Sequence, residues 1–173
     1  VAVGIHHKEL TNIDSIFQRI QNTYNMLSLH KYIHATPTLF NIGTPHQNLA
    51  SCFLTDVHDS VEGMYSISLP ALAQIAKGAG GIGINIGNIR ARGSVIRSAE
   101  RSAQGLIPYL QVLDKFSRHI NQGGKRPASI ACYIPPWHPE IFEVLDSKKE
   151  TTHEERRANA LFYAMWIDDL FME

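Results

Sequence analysis

Cysteine is scarce: the 173 residues hold only two, Cys52 and Cys132, 80 positions apart. That is too few for the disulfide framework of a small secreted domain, so a reducing, cytoplasmic setting is expected. No apolar run approaches the ~18–20 residues that cross a bilayer, so no membrane span is expected. The N-terminus VAVGIHHKEL lacks the basic start, long apolar stretch and small-residue cleavage site of a signal peptide. Net charge is missing too, since the formal total is zero, which argues against a long nucleic acid as partner. The nine histidines include no H-E-x-x-H and none pairs with cysteine at zinc spacing, so no metal site is expected. Repeats and low-complexity tracts are absent as well.

What is present describes a globular chain, with 44% hydrophobic and 18% charged residues. Its charge is unevenly spread. Residues 90–126 carry eight Lys/Arg (Arg90, Arg92, Arg97, Arg101, Lys115, Arg118, Lys125, Arg126) against Glu100 and Asp114, a balance of +6. Residues 137–173 carry nine Asp/Glu against four Lys/Arg, a balance of −5. A basic segment in a neutral chain suits a small anionic ligand, and equally a solvated face paired with the acidic segment. The chain opens without methionine and closes at DDLFME inside an apolar, helix-like pattern, so a fragment of a longer protein is expected.

Periodicity predicts alternating helices and strands. Ile13, Ile16, Phe17, Ile20, Tyr24 and Leu27 recur at helical spacing over 13–31. ATPTLFNIGTP (35–45) reads as a loop, with Pro37 biasing Thr36 towards extended geometry. Residues 50–55 read as a short buried strand. Asp59-Ser60 offers a helix N-cap, with Glu62 completing a possible capping box, and the helix is expected to reach Lys77 with Pro70 kinking or dividing it. GGIGINIG (80–87) predicts a strand whose glycines allow close approach, then a polar loop (88–104) and a helix over 105–120. NQGGKRP (121–127) reads as a tight basic loop and ASIACYI (128–134) as a strand. Helices follow at about 139–149 and from about 158. This alternation implies an α/β fold with parallel strands.

GAGGIGINIG fails as a dinucleotide fingerprint: Gly81, Gly83 and Gly87 give G-x-G-x-x-x-G, and no helix follows. GGKR lacks the upstream glycine of a Walker-type loop. The loops IRARGSVIRSAERS and NQGGKRP place guanidinium groups among small residues, a composition that suits phosphates or base edges and is also common on idle surface loops. His6-His7 reads as an exposed terminus, and His138 as a structural turn residue. Considered alone, Cys52 is compatible with packing, metal binding, a disulfide or chemistry, a small buried hydrophobe being the usual outcome. Cys132, inside IACYI, fits packing better still.

Together ATPTLFNIGT, ASCFL, the DSVEG helix start, KGAGGIGINIGNIRARGS, NQGGKRP and PPWHPEIFEVLDSKK with its trailing LFYAMWIDDLFM resemble the large (catalytic) subunit of class I ribonucleotide reductase. The resemblance covers roughly residues 20–173. It implies the first part of a ten-stranded α/β barrel, here as one partial domain with a helical lead-in (1–34) and barrel residues 35–173. It also implies reduction of ribonucleoside diphosphates to deoxyribonucleoside diphosphates by thiyl-radical chemistry, for DNA precursor synthesis. By the same resemblance Cys52 is one member of a redox cysteine pair, its partner lying beyond residue 173. Thr36, Ser51, Gly80, Gly81, Gln122 and Arg126 match substrate-binding positions. Asp59, Ser60, Val61, Lys77, Arg90 and Arg97 match positions that bind an allosteric effector (dATP, dTTP, dGTP or ATP). The 121–127 loop is one residue shorter than the GGNKRPG form of eukaryotic-like members. Expected partners are a radical-generating, metal-containing small subunit, thioredoxin or glutaredoxin, and a second copy of the chain. No cofactor is expected to bind this chain directly, and the fragment alone is expected to be inactive. Two other readings stay open: a non-catalytic nucleotide-binding or regulatory module, and a cobalamin-dependent class II reductase.

Overall fold

The structure, a computed structural model, describes residues 1–6, 13–45, 48–78, 80–96, 103–120 and 128–173. It divides into two compact units: Val1–Ser51 with Gly78–Gly80, and Cys52–Lys77 with Gly81–Glu173.

The first unit is helical. Helix α1 (Ala2–His6) lies on α2 (Ile13–Ser28), where His6 Nε2 meets Thr23 Oγ1 at 3.0 Å. His6 is therefore a packed residue rather than an exposed terminus; His7 lies outside the described residues. The amphipathic stripe expected over 13–31 does form α2, yet Ile13, Phe17 and Tyr24 on it are exposed. The expected loop at 35–45 instead contains a short helix, α3 (Thr36–Asn41). Proline there acts as a starter, not a breaker: Pro37 occupies the first turn, where its missing N–H is not needed and its fixed φ already fits. Just past the end, Gly43 (φ 78°) supplies the left-handed residue that turns the chain away. Asn48 Nδ2 donates to the Gly78 carbonyl at 3.1 Å, and Asn41 Nδ2 donates to the Asn48 carbonyl at 2.8 Å.

The second unit is built on a four-stranded sheet in the order β1 (Cys52–Asp56), β2 (Gly81–Asn85), β3 (Ile130–Ile134) and β4 (Phe162–Met165), all neighbours parallel. Parallel neighbours need long crossovers, and helices α4 (Leu69–Lys77), α5 (Leu106–His119) and α6 (Ile141–Asp146) lie within them. Because side chains alternate across a strand, Ile82, Ile84, Ile130, Cys132 and Ile134 point to one face, where they form a buried core with Leu72, Leu106, Leu110, Leu113 and Val144. Each of these isoleucine, leucine and valine side chains taken out of water contributes roughly 1.5–3 kcal/mol.

Two expectations need correction here, and a third gains detail. β1 is an edge strand whose Cys52, Leu54 and Asp56 are exposed, not a buried strand. The segment from about 158 is not a long helix: residues 162–165 pair with β3, and only Asp169–Met172 (α7) is helical. Tertiary pairing overrides the helix-like spacing there, as strand preference depends on the neighbouring strand. The helix after Asp59 begins with a π-helical segment, Glu62–Ser68, before α4 takes over. Leu69 N–H bonds the Met64 carbonyl five residues back, and this widened turn immediately precedes Pro70. Of the two outcomes expected at Pro70, division is the one found, and it takes the form of a change of helix type one residue earlier.

Candidate functional site

One face of the sheet carries α4, α5 and α6; Cys52 lies on the other. Register aligns Cys52 with Gly81, Leu54 with Gly83, and Asp56 with Asn85 and then Tyr133, so these residues share the face that lacks helices. Cys52 is an exposed free thiol and Leu54 is 83% exposed. Cys132 is on the opposite face, fully buried, and burial pushes its thiol up to about 12. It is also two strands away from Cys52. Two ladder spacings, roughly 9.5 Å, exceed the reach of a disulfide. The two cysteines therefore cannot pair in this fold, and the packing reading of Cys132 holds.

A cavity of about 670 Å³ opens on the same face towards the carboxyl ends of the strands, lined by Asp56, Asn85, Tyr133, Trp137 and Trp166 over Gly83. Glycine is required in its floor: a Cβ on Gly83 would lie 2.6 Å from Leu54 Cδ2 and 3.1 Å from Tyr133 Cε2. Asn85 Nδ2 donates to Asp56 Oδ1 at 2.8 Å, while Gly87 N–H donates to Asn85 Oδ1 at 3.0 Å. These two bonds fix the amide orientation and hold the carboxylate at the cavity wall. Two indoles together with the Asp56 carboxylate and the Asn85 amide can take up a flat ring and a hydrogen-bonding group. Sequence reasoning named none of these lining residues as site residues; it noted only that the strand glycines allow close approach. The signal was an i, i+2 alternation in three separate segments, which means nothing until their register is known.

A second cluster forms where β1 leads into the π-helical segment. Ser60 Oγ accepts from Gly63 N–H at 2.9 Å, so Ser60, not Asp59, caps the helix. Asp59 instead turns to the loop after β2: Arg90 Nε donates to its Oδ2 at 2.6 Å, and the other side of the guanidinium donates to the Val95 carbonyl at 3.0 Å. Both side chains are partly exposed, leaving part of each charge open to a ligand. Val61 stands beside them, 76% exposed. Lys77 is not in this cluster. It ends α4, sixteen residues along the helical run from Val61.

Thr36, Ser51 and Gly80 belong to the first unit: Thr36 heads α3, Ser51 is half-buried and Gly80 is buried. Cys52 and Gly81 belong to the second. Gln122, Arg126 and Arg97 lie outside the described residues. Among the described residues no group of three or more His, Cys, Asp or Glu could hold a metal ion, and no helix is long and apolar enough to cross a membrane.

An unclosed parallel sheet with helices on one face and a free thiol and cavity on the other is a segment of an α/β barrel. Residues 50–173 match the family profile described as the ribonucleotide reductase barrel domain, and residues 1–47 match the ribonucleotide reductase all-alpha domain. The chain belongs to the ribonucleotide reductase family. It is 47% identical over its whole length to the ribonucleoside-diphosphate reductase large chain of Neurospora crassa and 47% identical to the large subunit from Arabidopsis thaliana, covering 18% and 20% of those proteins. The large subunit of vaccinia virus is 49% identical, again over the whole chain and over 22% of its own length. The chain thus spans about a fifth of the length of the curated relatives it matches.

Proposed function

We propose that this chain acts as part of a ribonucleoside-diphosphate reductase large subunit, converting ribonucleoside diphosphates to deoxyribonucleoside diphosphates. The observation that carries the reading is Cys52: an exposed free thiol on the helix-free face of the sheet, level with Gly81 and on the same side as the cavity. A thiol that delivers two electrons with a partner must be reachable by substrate and by a second cysteine, and Cys52 meets the first condition where Cys132 does not. Its partner is proposed to be a cysteine outside these 173 residues. In the reductive step the pair gives up two electrons and two protons, a disulfide forms, and the 2′ oxygen of the substrate leaves as water. Thioredoxin or glutaredoxin then reduces the disulfide by thiol exchange, while a metal-containing small subunit supplies the radical.

Thr36, Ser51, Gly80, Gly81, Gln122 and Arg126 are proposed to bind substrate, through hydroxyls, backbone N–H groups and charge suited to a diphosphate. The Asp59–Arg90 corner, with Ser60 and Val61, is proposed to face a deoxynucleotide or ATP effector. Its carboxylate accepts from a sugar hydroxyl and its guanidinium attracts phosphate. Lys77 and Arg97 are proposed to join that site; since Lys77 lies at the far end of the helix, its contact would be to an effector held by the second copy of a homodimer. A cytoplasmic location accords with two free thiols.

The test is Cys52→Ser in the full-length protein with its small subunit. Turnover driven by thioredoxin should fall to background, while effector binding measured by calorimetry stays as in the parent. Unchanged multiple turnover removes Cys52 from the reaction.

A further inference from the structure

The PPWHPE segment after β3 does more than turn the chain. His138 and Glu140 are only 6% and 4% exposed, although both are polar. Burial of such groups is costly unless they are bonded, and both reach back to the loop that follows β2. Glu140 N–H donates to His138 Nδ1 at 3.1 Å. That leaves the ring proton on Nε2, which donates to the Ile89 carbonyl at 2.9 Å, directly before Arg90. The Glu140 carboxylate closes the neck of the same loop: its Oε2 accepts from Arg92 N–H at 3.2 Å and from Leu106 N–H at 3.0 Å. A backbone bond from Gly93 N–H to the Ala103 carbonyl (2.9 Å) runs alongside. Leu106 opens α5, whose N-cap Gly105 brings no side-chain bond, so the carboxylate caps that helix from another segment. Gly105 is needed twice over: its φ is +78°, and a Cβ there would lie 2.3 Å from Glu140 Oε1.

We propose that Glu140, oriented by His138, is a positioning residue that sets the Arg90 loop and thereby the affinity of the Asp59–Arg90 corner for a nucleotide effector. Ile89 and Arg92, the residues held by the pair, flank Arg90 within two positions. One carboxylate oxygen accepts both N–H bonds, while Oε1 has no hydrogen-bond partner among the described residues. A glutamine whose amide oxygen takes the place of Oε2 therefore keeps both bonds, whereas alanine leaves two N–H groups and the helix end without an acceptor.

This inference rests on the effector reading of that corner, and its test separates the two. Full-length wild type, Glu140→Ala and Glu140→Gln are titrated with dTTP by calorimetry, and backbone hydrogen exchange is followed at Arg92 and Leu106. Affinity for dTTP should fall by about tenfold or more in Glu140→Ala, within the usual range of coupling between sites, and stay within about threefold of wild type in Glu140→Gln. Protection of the two amides should be lost in the first variant and kept in the second. A folded Glu140→Ala protein with wild-type affinity overturns the proposal, as does retained protection at both amides. If wild type itself takes up no dTTP, the effector reading falls, and the proposal falls with it in its effector part; the exchange data still decide the loop. Should Glu140→Ala fail to fold, Gly105→Ala displaces the same carboxylate, and unchanged dTTP affinity there overturns the proposal equally.

Discussion

The two thiols should react at rates that differ by orders of magnitude, and alkylation of the reduced protein tests this directly. Cys132 is fully buried beneath α5 on the helix-covered face and its thiol is raised to about 12. At pH 8 such a group is ionised to only about one part in 10⁴, and only the thiolate attacks iodoacetamide. Reagent must also reach it, which requires the sheet and helices to separate. For a domain of ordinary stability, ~5–15 kcal/mol, that opening is populated at roughly 10⁻⁴ or less. Cys52 needs no opening, because it sits exposed on the face opposite α5. Peptide mass spectrometry of a time course should show Cys52 labelled at least about 10³ times faster than Cys132. In denaturant the two rates should converge. Comparable rates under native conditions would refute the assignment of the two cysteines to opposite faces of the sheet, and with it the argument that only one is available for chemistry.

Stability should also fall at alkaline pH. Cys132 and Tyr163 are both raised to about 12, chiefly by burial, and Tyr109 is raised further for the same reason. Above pH 9 the unfolded chain loses these protons while the folded chain keeps them, so denaturant midpoints should drop between about pH 9 and 12, at up to about 1.4 kcal/mol per pH unit for each group. A flat profile there would show that these groups are not buried. Leu110→Ala, at a fully buried position of α5, should cost about 2–5 kcal/mol in urea unfolding without moving Cys52; a loss under about 1 kcal/mol would contradict the packing described.

Elements with strong local signatures were legible in the sequence. Helix α5 announced itself by Leu106, Tyr109, Leu110 and Leu113 at helical spacing, and all four are buried. Strands β2 and β3 were marked by β-branched residues bounded by glycine and proline. What failed depended on neighbours or on single-turn detail. FYAM is a strand only because β3 offers an edge to pair with. Thr36–Asn41 is helical because Pro37 tolerates a first turn, a choice that local preference left undecided. The candidate site was half visible. Cys52, Asp59 and Arg90 stood out by residue type and resemblance, and the structure joins the last two at 2.6 Å. Asp56, Asn85, Trp137 and Trp166 did not, since only the register of separate strands brings them to one cavity. His138 was expected to be structural and is, though its partners 49 residues earlier could not be read from the chain.

The strands lie side by side in the order in which they occur along the chain. During synthesis each new strand therefore meets the one completed just before it, across a single crossover, and no pairing has to wait for a distant segment. The crossovers are long, but loop-closure entropy grows only slowly with length, so the sheet can lengthen one step at a time behind the ribosome. The same order leaves the outer edges of β1 and β4 with unpaired N–H and C=O groups among the described residues. Such edges are templates for further strands and, while bare, for association with other chains.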